Sequence, residues 1–144
     1  MAVNQTIELL SPKRIAELWP QIEPLIERVS QSSRSSPHPI DPEYVKVMAT
    51  NEVCHILGFF TDGKLDMTLV YEFTVANKVK TASILAVAGK DLSKFKIKFW
   101  PMILEWFRDL GACAVDAYAE PRLAKIYMSK FGFTETCSYV RMKL

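Results

Sequence analysis

The chain is poor in the residues from which several kinds of site are built. Its 144 residues include two histidines, three cysteines and five glycines. His38 sits between two prolines, His55 lies in a strand-like run, and no Cys-x-x-Cys occurs, so the ligand spacings of a zinc site are missing and no metal is expected. Adjacent strand residues point to opposite faces, so Cys54 and His55 do not read as a nucleophilic pair. Three cysteines, Cys54, Cys113 and Cys137, exclude a fully paired disulfide framework, and their apolar settings predict buried free thiols. No apolar run approaches the roughly 20 residues that span a bilayer, and no charged segment followed by an apolar stretch opens the chain. Those absences point to a reducing cytoplasm. An excess of charge is lacking as well. Eighteen Lys and Arg against sixteen Asp and Glu leave a formal net charge of +2, too little to argue for nucleic acid. The one local basic cluster, Lys90, Lys94, Lys96 and Lys98, reads either as a solvated helix start or as an anion contact.

What is present is an ordinary globular composition, 49% hydrophobic and 24% charged, in a chain of the usual size for one domain, here residues 1–144. Val3 to Leu10 alternates as a strand, and Ser11-Pro12 starts a helix whose stripe runs Ile15, Leu18, Trp19, Ile22, Leu25, Ile26 and Val29. Pro20 and Pro24 inside that stripe predict a kinked or divided helix. Gln31 to Pro39, rich in serine and holding two prolines, is a loop. Asp41-Pro42-Glu43 reads as a cap and first turn of a short helix to about Thr50 that buries Tyr44, Val45 and Met48.

The middle of the chain is sheet. Val53 to Thr61 and Leu65 to Val75 flank the hairpin turn Asp62-Gly63, and Asn77-Lys78 offers a second turn. Thr81 to Ala88, nearly continuous in small and branched apolar residues, is expected to be the central strand, covered on both faces. Asp91 is placed to cap a helix carrying Phe95, Phe99, Ile103, Trp106, Phe107 and Leu110, which ends at Gly111. Ala112 to Ala119 reads as a buried strand. Leu123, Ile126, Tyr127 and Phe131 then mark one face of a last helix that ends on Gly132, and Thr134 to Leu144 reads as a closing strand. The tryptophans Trp19, Trp100 and Trp106 look like core or interface anchors.

The run from Ala119 to Phe133, with the order strand, helices, three antiparallel strands, helix, strand, helix, strand, resembles the GNAT acyltransferase superfamily over almost the whole chain. The resemblance implies an α+β (α/β/α-type) fold: a mixed, mostly antiparallel sheet of six to seven strands flanked by about four helices. It also implies acetyl-CoA bound between the diverging fourth and fifth strands. In that family a glycine-rich loop and a helix N-terminus hold the pyrophosphate. The matching segment here, Ala88-Gly89-Lys90-Asp91-Leu92-Ser93-Lys94-Phe95, has one glycine and an added carboxylate, with Lys90 and Lys94 as compensating charges. Val87, Ala88, Gly89, Lys90 and Lys94 are therefore the cofactor-binding candidates. Tyr127 occupies the position of the family's general acid, and Glu72 on the third strand is the candidate base. For each there is a plain structural alternative, core packing for Tyr127 and a solvent-facing strand position for Glu72. Trp106-Phe107-Arg108-Asp109-Leu110-Gly111-Ala112-Cys113 is moreover similar to short GNAT-like bacteriophage proteins, some of them virion-associated. Two functions stay open on these residues. One is an acyl-CoA-dependent N-acyltransferase acting on a small amine in the cytoplasm. The other is a non-catalytic GNAT-like phage virion-associated or assembly protein, in the host cytoplasm or the virion, whose partner is a phage-particle component met through the serine loop.

Overall fold

The structure is a computed structural model that describes residues 3–32, 39–89, 93, 95–119, 121–138 and 140–144. The predicted serine loop, the Asp91 cap, Lys90 and Lys94 fall wholly or largely outside the described residues. Strand β1 (Gln5–Leu9) leads to helices α1 (Pro12–Ser32) and α2 (Pro42–Thr50). A three-stranded meander follows, β2 (His55–Thr61), β3 (Lys64–Ala76) and β4 (Val79–Gly89). A π-helical turn at Phe95–Phe99 runs into α3 (Trp100–Asp109), then β5 (Ala114–Ala117) and α4 (Pro121–Lys130).

Two tight turns set the meander. Asp62 and Gly63 have φ of 51° and 79°, and Asn77 and Lys78 have φ of 51° and 67°, the paired left-handed conformations of a type I′ hairpin. Each two-residue turn forces the next strand to return beside its predecessor. The sheet therefore runs β1-β2-β3-β4-β5, antiparallel except where β5 pairs in parallel with β4. The middle strand is thus β3, not the expected β4. Met67 to Tyr71 of β3 and Ile56 to Phe60 of β2 are buried continuously on both faces, whereas β4 alternates buried with half-buried residues.

The sheet divides the core in two. On one face α1 and α2 bury Ile15, Trp19, Ile22, Ile26 and Val45 against Ile56, Phe60 and Val70. On the other face Phe95, Phe99, Ile103 and Phe107 pack on Phe59, Leu69, Tyr71 and Ile84. That second set is spaced by four throughout, which drifts about 40° per step on an ideal α-helix. The wider π turn reduces the drift just before Pro101, whose missing N–H already interrupts the α ladder.

α1 is one continuous helix of 21 residues, not the divided one expected. Pro20 and Pro24 stand four apart on its exposed side, as do Ala16 and Pro20, whose carbonyls lose their donors, so water can satisfy them. α2 starts as the sequence predicts, with the Asp41 carboxylate accepting from the Glu43 N–H at 3.1 Å. It buries Pro42, Val45 and Ala49, while Tyr44, predicted to be inside, is exposed. Of the three thiols only Cys54 is buried; Cys113 and Cys137 are exposed. Trp19 and Trp100 are core residues, and Trp106 lies at the surface with its indole N–H donating to the Tyr71 hydroxyl at 3.3 Å.

The sheet has five strands among the described residues, fewer than the six to seven expected. The missing element is the tail. Thr134 to Ser138 and the residues from Val140 to Leu144 carry no ladder, although their sequence alternates.

Candidate functional site

The site is built from a break in the register of β4. Val70 of β3 pairs with Ala86, but the next residue, Tyr71, pairs with Ile84, so Leu85 is an extra residue, a β-bulge. The bulge reverses which side chains face which core. Before it, Ala82 and Ile84 pack with the α3 side; after it, Ala86 packs with the α1 side and Val87 with the α3 side. Parallel pairing with β5 covers Thr81↔Ala114 to Ile84↔Ala117 and stops at the same place. Beyond the bulge, Ala86 to Gly89 pair with Val70 to Met67 on one side, and β5 has left the other. The parallel pairing ends with β5, and beyond it one edge of β4 offers backbone N–H and C=O groups with no strand beside them among the described residues.

Val87 is half-buried, Ala88 buried and Gly89 exposed along that edge. Gly89 is needed for packing and not for a loop, since a Cβ there would collide with the Met67 side chain and come within 3.0 Å of the Asp66 carbonyl oxygen. An edge of extended backbone fits the amide-bearing pantetheine arm of a CoA thioester, which can pair with it as a strand would. Of the residues predicted to hold the phosphates, Lys90 and Lys94 lie outside the described residues.

Tyr127 stands on the inner side of α4, with its ring 6.0 Å from Phe131 and 5.2 Å from Phe133. Gly132 ends the helix with φ of 78°, which lets the Phe131 and Phe133 N–H groups both reach the Tyr127 carbonyl and folds Phe133 back on the tyrosine ring. Burial pushes the Tyr127 hydroxyl above its ordinary range, so it is protonated at neutral pH. Tyr127 also lines a cleft of about 950 Å³ bounded by α3, the β5 segment from Ala112 to Ala119, α4 and the start of the tail. Val87, Ala88 and Gly89 are not among its walls.

Glu72 is on the other face of the sheet. Tyr71 and Phe73 pack toward α3, so Glu72 between them points toward α1, where its charge and, more strongly, burial raise the Cys54 thiol to about 11. The structure therefore does not bring Tyr127 and Glu72 together; the sheet lies between them. It does bring a second carboxylate near Glu72. Glu72 pairs with Ser83, and Ser83 pairs with Asp116 of β5. Val115 and Ala117 pack toward α3, so Asp116 shares the Glu72 face. Asp116 was invisible to sequence reasoning because its row depends on the β4–β5 register, which no local pattern encodes. Among the described residues no group of three or more His, Cys, Asp or Glu is placed to hold a metal, and no helix is long and apolar enough to cross a membrane.

No protein-family model matches the chain, and no curated protein sequence matches it. Solved structures do. A ribosomal-protein-alanine N-acetyltransferase from Brucella melitensis biovar Abortus superposes with a TM-score of 0.69 at 15% identity, covering 99% of this chain and 100% of that one. The aminoglycoside N-acetyltransferase AAC(6')-Iy, solved in complex with CoA, gives 0.70 at 12% identity, covering 100% and 97%. A Bacillus halodurans protein gives 0.72 at 12% identity, covering 96% and 99%. At such identities the likeness is one of fold, and the chain has the mixed α+β fold of the GNAT acetyltransferases.

Proposed function

We propose that the protein is an acyl-CoA-dependent N-acyltransferase whose acceptor is a primary amine. The observation that carries this reading is the bulge at Leu85 together with the departure of β5 after Ala117, which leaves the edge of β4 open where an acyl-CoA arm would lie. Bound there, acyl-CoA supplies the activated acyl thioester. The backbone of Val87 to Gly89 holds the arm in register. Tyr127, kept neutral by burial, is the proton donor to the departing sulfur. Glu72, with Asp116 one row away across Ser83, offers negative charge on the opposite face of the sheet, suited to holding an ammonium and taking its proton. The aminoglycoside and ribosomal-protein enzymes that share the fold act on amines, which supports the acceptor class. The non-catalytic phage-particle reading draws on no observation in the structure.

The test is isothermal titration with acetyl-CoA and with free CoA at low and at physiological salt. Micromolar binding of both, each competing with the other, is the expected result. Absence of heat and of thermal stabilisation at millimolar ligand would overturn the proposal.

A further inference from the structure

Helix α4 carries an apolar stripe, yet none of its ten residues is buried. Leu123, Ile126 and Tyr127 are only half-buried, and so are Val115 and Ala117 of β5, although both β5 side chains turn toward the α3 core. Short helices are held by the packing of an apolar face more than by propensity, so a face left half-covered on both partners is surface that calls for a cover. The space concerned is the cleft of about 950 Å³. Clefts that enclose a small ligand measure roughly 300–1,000 Å³, and this one lies at their upper end.

Its lining is graded. Trp100, Phe107 and Phe131, exposed by 9% or less, form the floor, with Tyr127 and Met128 on the α4 wall. The charged residues along it, Arg108, Asp116, Lys125 and Glu135, are all exposed and so belong to the rim. An apolar floor under a charged rim takes an alkyl group and leaves the charges in water. The acyl donor supplies such a group. In the transferase reading, on which this inference rests, Tyr127 gives its proton to the thioester sulfur, and the acyl carbon is bonded to that sulfur. The acyl chain therefore starts beside a wall of the cleft. Val87, Ala88 and Gly89, which hold the arm, are not walls, so arm and acyl chain occupy different places. On the other face of the sheet the chain would meet Glu72 and Ser83 in one row, where an alkyl group would strip water from a carboxylate.

We infer that the acyl donor is a medium-chain acyl-CoA whose alkyl chain lies in the cleft between α3, β5 and α4. Burying one methylene is worth about four-fold in affinity, and six methylenes separate an octanoyl from an acetyl group.

The experiment is isothermal titration with acetyl-, butyryl-, hexanoyl- and octanoyl-CoA of the full chain and of two variants, Ala124→Trp, which fills the cleft from α4, and Met128→Glu, which sets a charge on its wall. The expected result is an affinity that rises with chain length, by about thirty-fold or more from acetyl to octanoyl, with a heat-capacity change that grows more negative along the series. In each variant the octanoyl-to-acetyl ratio should fall by about ten-fold or more, while acetyl-CoA affinity stays within about two-fold. A smaller gain in the full chain, with acetyl-CoA still bound, overturns the inference and leaves the transferase reading standing. Binding of none of the four thioesters overturns both. A ratio that falls less in a folded Ala124→Trp places the alkyl chain elsewhere and overturns the inference equally. Should Ala124→Trp fail to fold by circular dichroism, Met128→Glu, at a position already exposed, decides by the same ratio.

Discussion

Tyr127 is held by two rings and by the helix end beneath it, so its hydroxyl can be removed with little disturbance to packing. Tyr127→Phe should lower turnover by 10²-fold or more, the usual worth of a positioned acid, while the CoA affinity measured by titration stays within about two-fold. Unchanged turnover would remove Tyr127 from the chemistry and leave it a packing residue. Cys54 is a different kind of buried group. Burial and then the Glu72 charge raise its pKa from 9.0 to about 11, so it is a neutral thiol at pH 8, whereas Cys113 and Cys137 are exposed. Iodoacetamide at pH 8 should modify two thiols in the native protein and three after denaturation, read by mass; three in the native state would mean that α2 does not seal the Cys54 side. The raised value also sets a pH window. The folded state holds the Cys54 proton more tightly than the unfolded one, so this contribution to stability is complete below pH 9 and is lost as pH rises toward about 11. Burial shifts Tyr71 and Tyr127 in the same direction. Melting temperature should accordingly fall between pH 9 and 11.

Among the elements, the β3–β4 hairpin is the place where a local rule is only half obeyed. Lys78 sits at φ of 67° in the second turn position, where glycine has no Cβ penalty. Among the described residues its ammonium forms no ion pair, and it is the neighbouring Lys80 that donates to the Leu110 carbonyl at 2.7 Å and lies 4.2 Å over the Phe73 ring. Lys78→Gly should therefore stabilise the protein, by about 0.5–1 kcal/mol if the relief of strain exceeds the added freedom of the unfolded chain. Thermal denaturation decides the sign. The opposite outcome is expected at the end of β4: Gly89→Ala drives a methyl into Met67 and the β3 backbone and should cost on the order of 1–3 kcal/mol, as overpacking does. Both hairpin turns and the α2 cap were legible in the sequence because they depend on residues adjacent in the chain. The continuity of α1 was not. Whether a proline divides a helix depends on which side of the helix meets water, and the stripe from Ile15 to Ile26 leaves Pro20 and Pro24 on that side.

For the molecule as a whole, the sheet joins two cores that face different chemistry. The α1 and α2 side carries Glu72, Ser83 and Asp116 in one row, and the α3 and α4 side carries Tyr127. A ligand that occupies the open edge of β4 should stabilise the native state by mass action, about 2.7 kcal/mol at a hundred times its dissociation constant. For a domain of this size that is a rise in melting temperature of roughly 8 °C. A scan with free CoA that shows no rise, while acetyl-CoA gives one, would place recognition in the acyl group and not in the arm.

The sequence by itself determined the elements whose causes are local: the Asp62-Gly63 and Asn77-Lys78 turns, the Asp41 cap, the helix stripes, and the helix end at Gly132 beside Tyr127. Their hydrogen bonds and torsions are fixed by residues within a few positions of one another. Only the tertiary structure decided that β3 is the middle strand, that Leu85 is a bulge, that β5 parts from β4 at Ala117, and that Tyr127 and Glu72 lie on opposite faces. Each of these follows from pairing between residues far apart in the chain, where one added residue reverses which face a side chain takes.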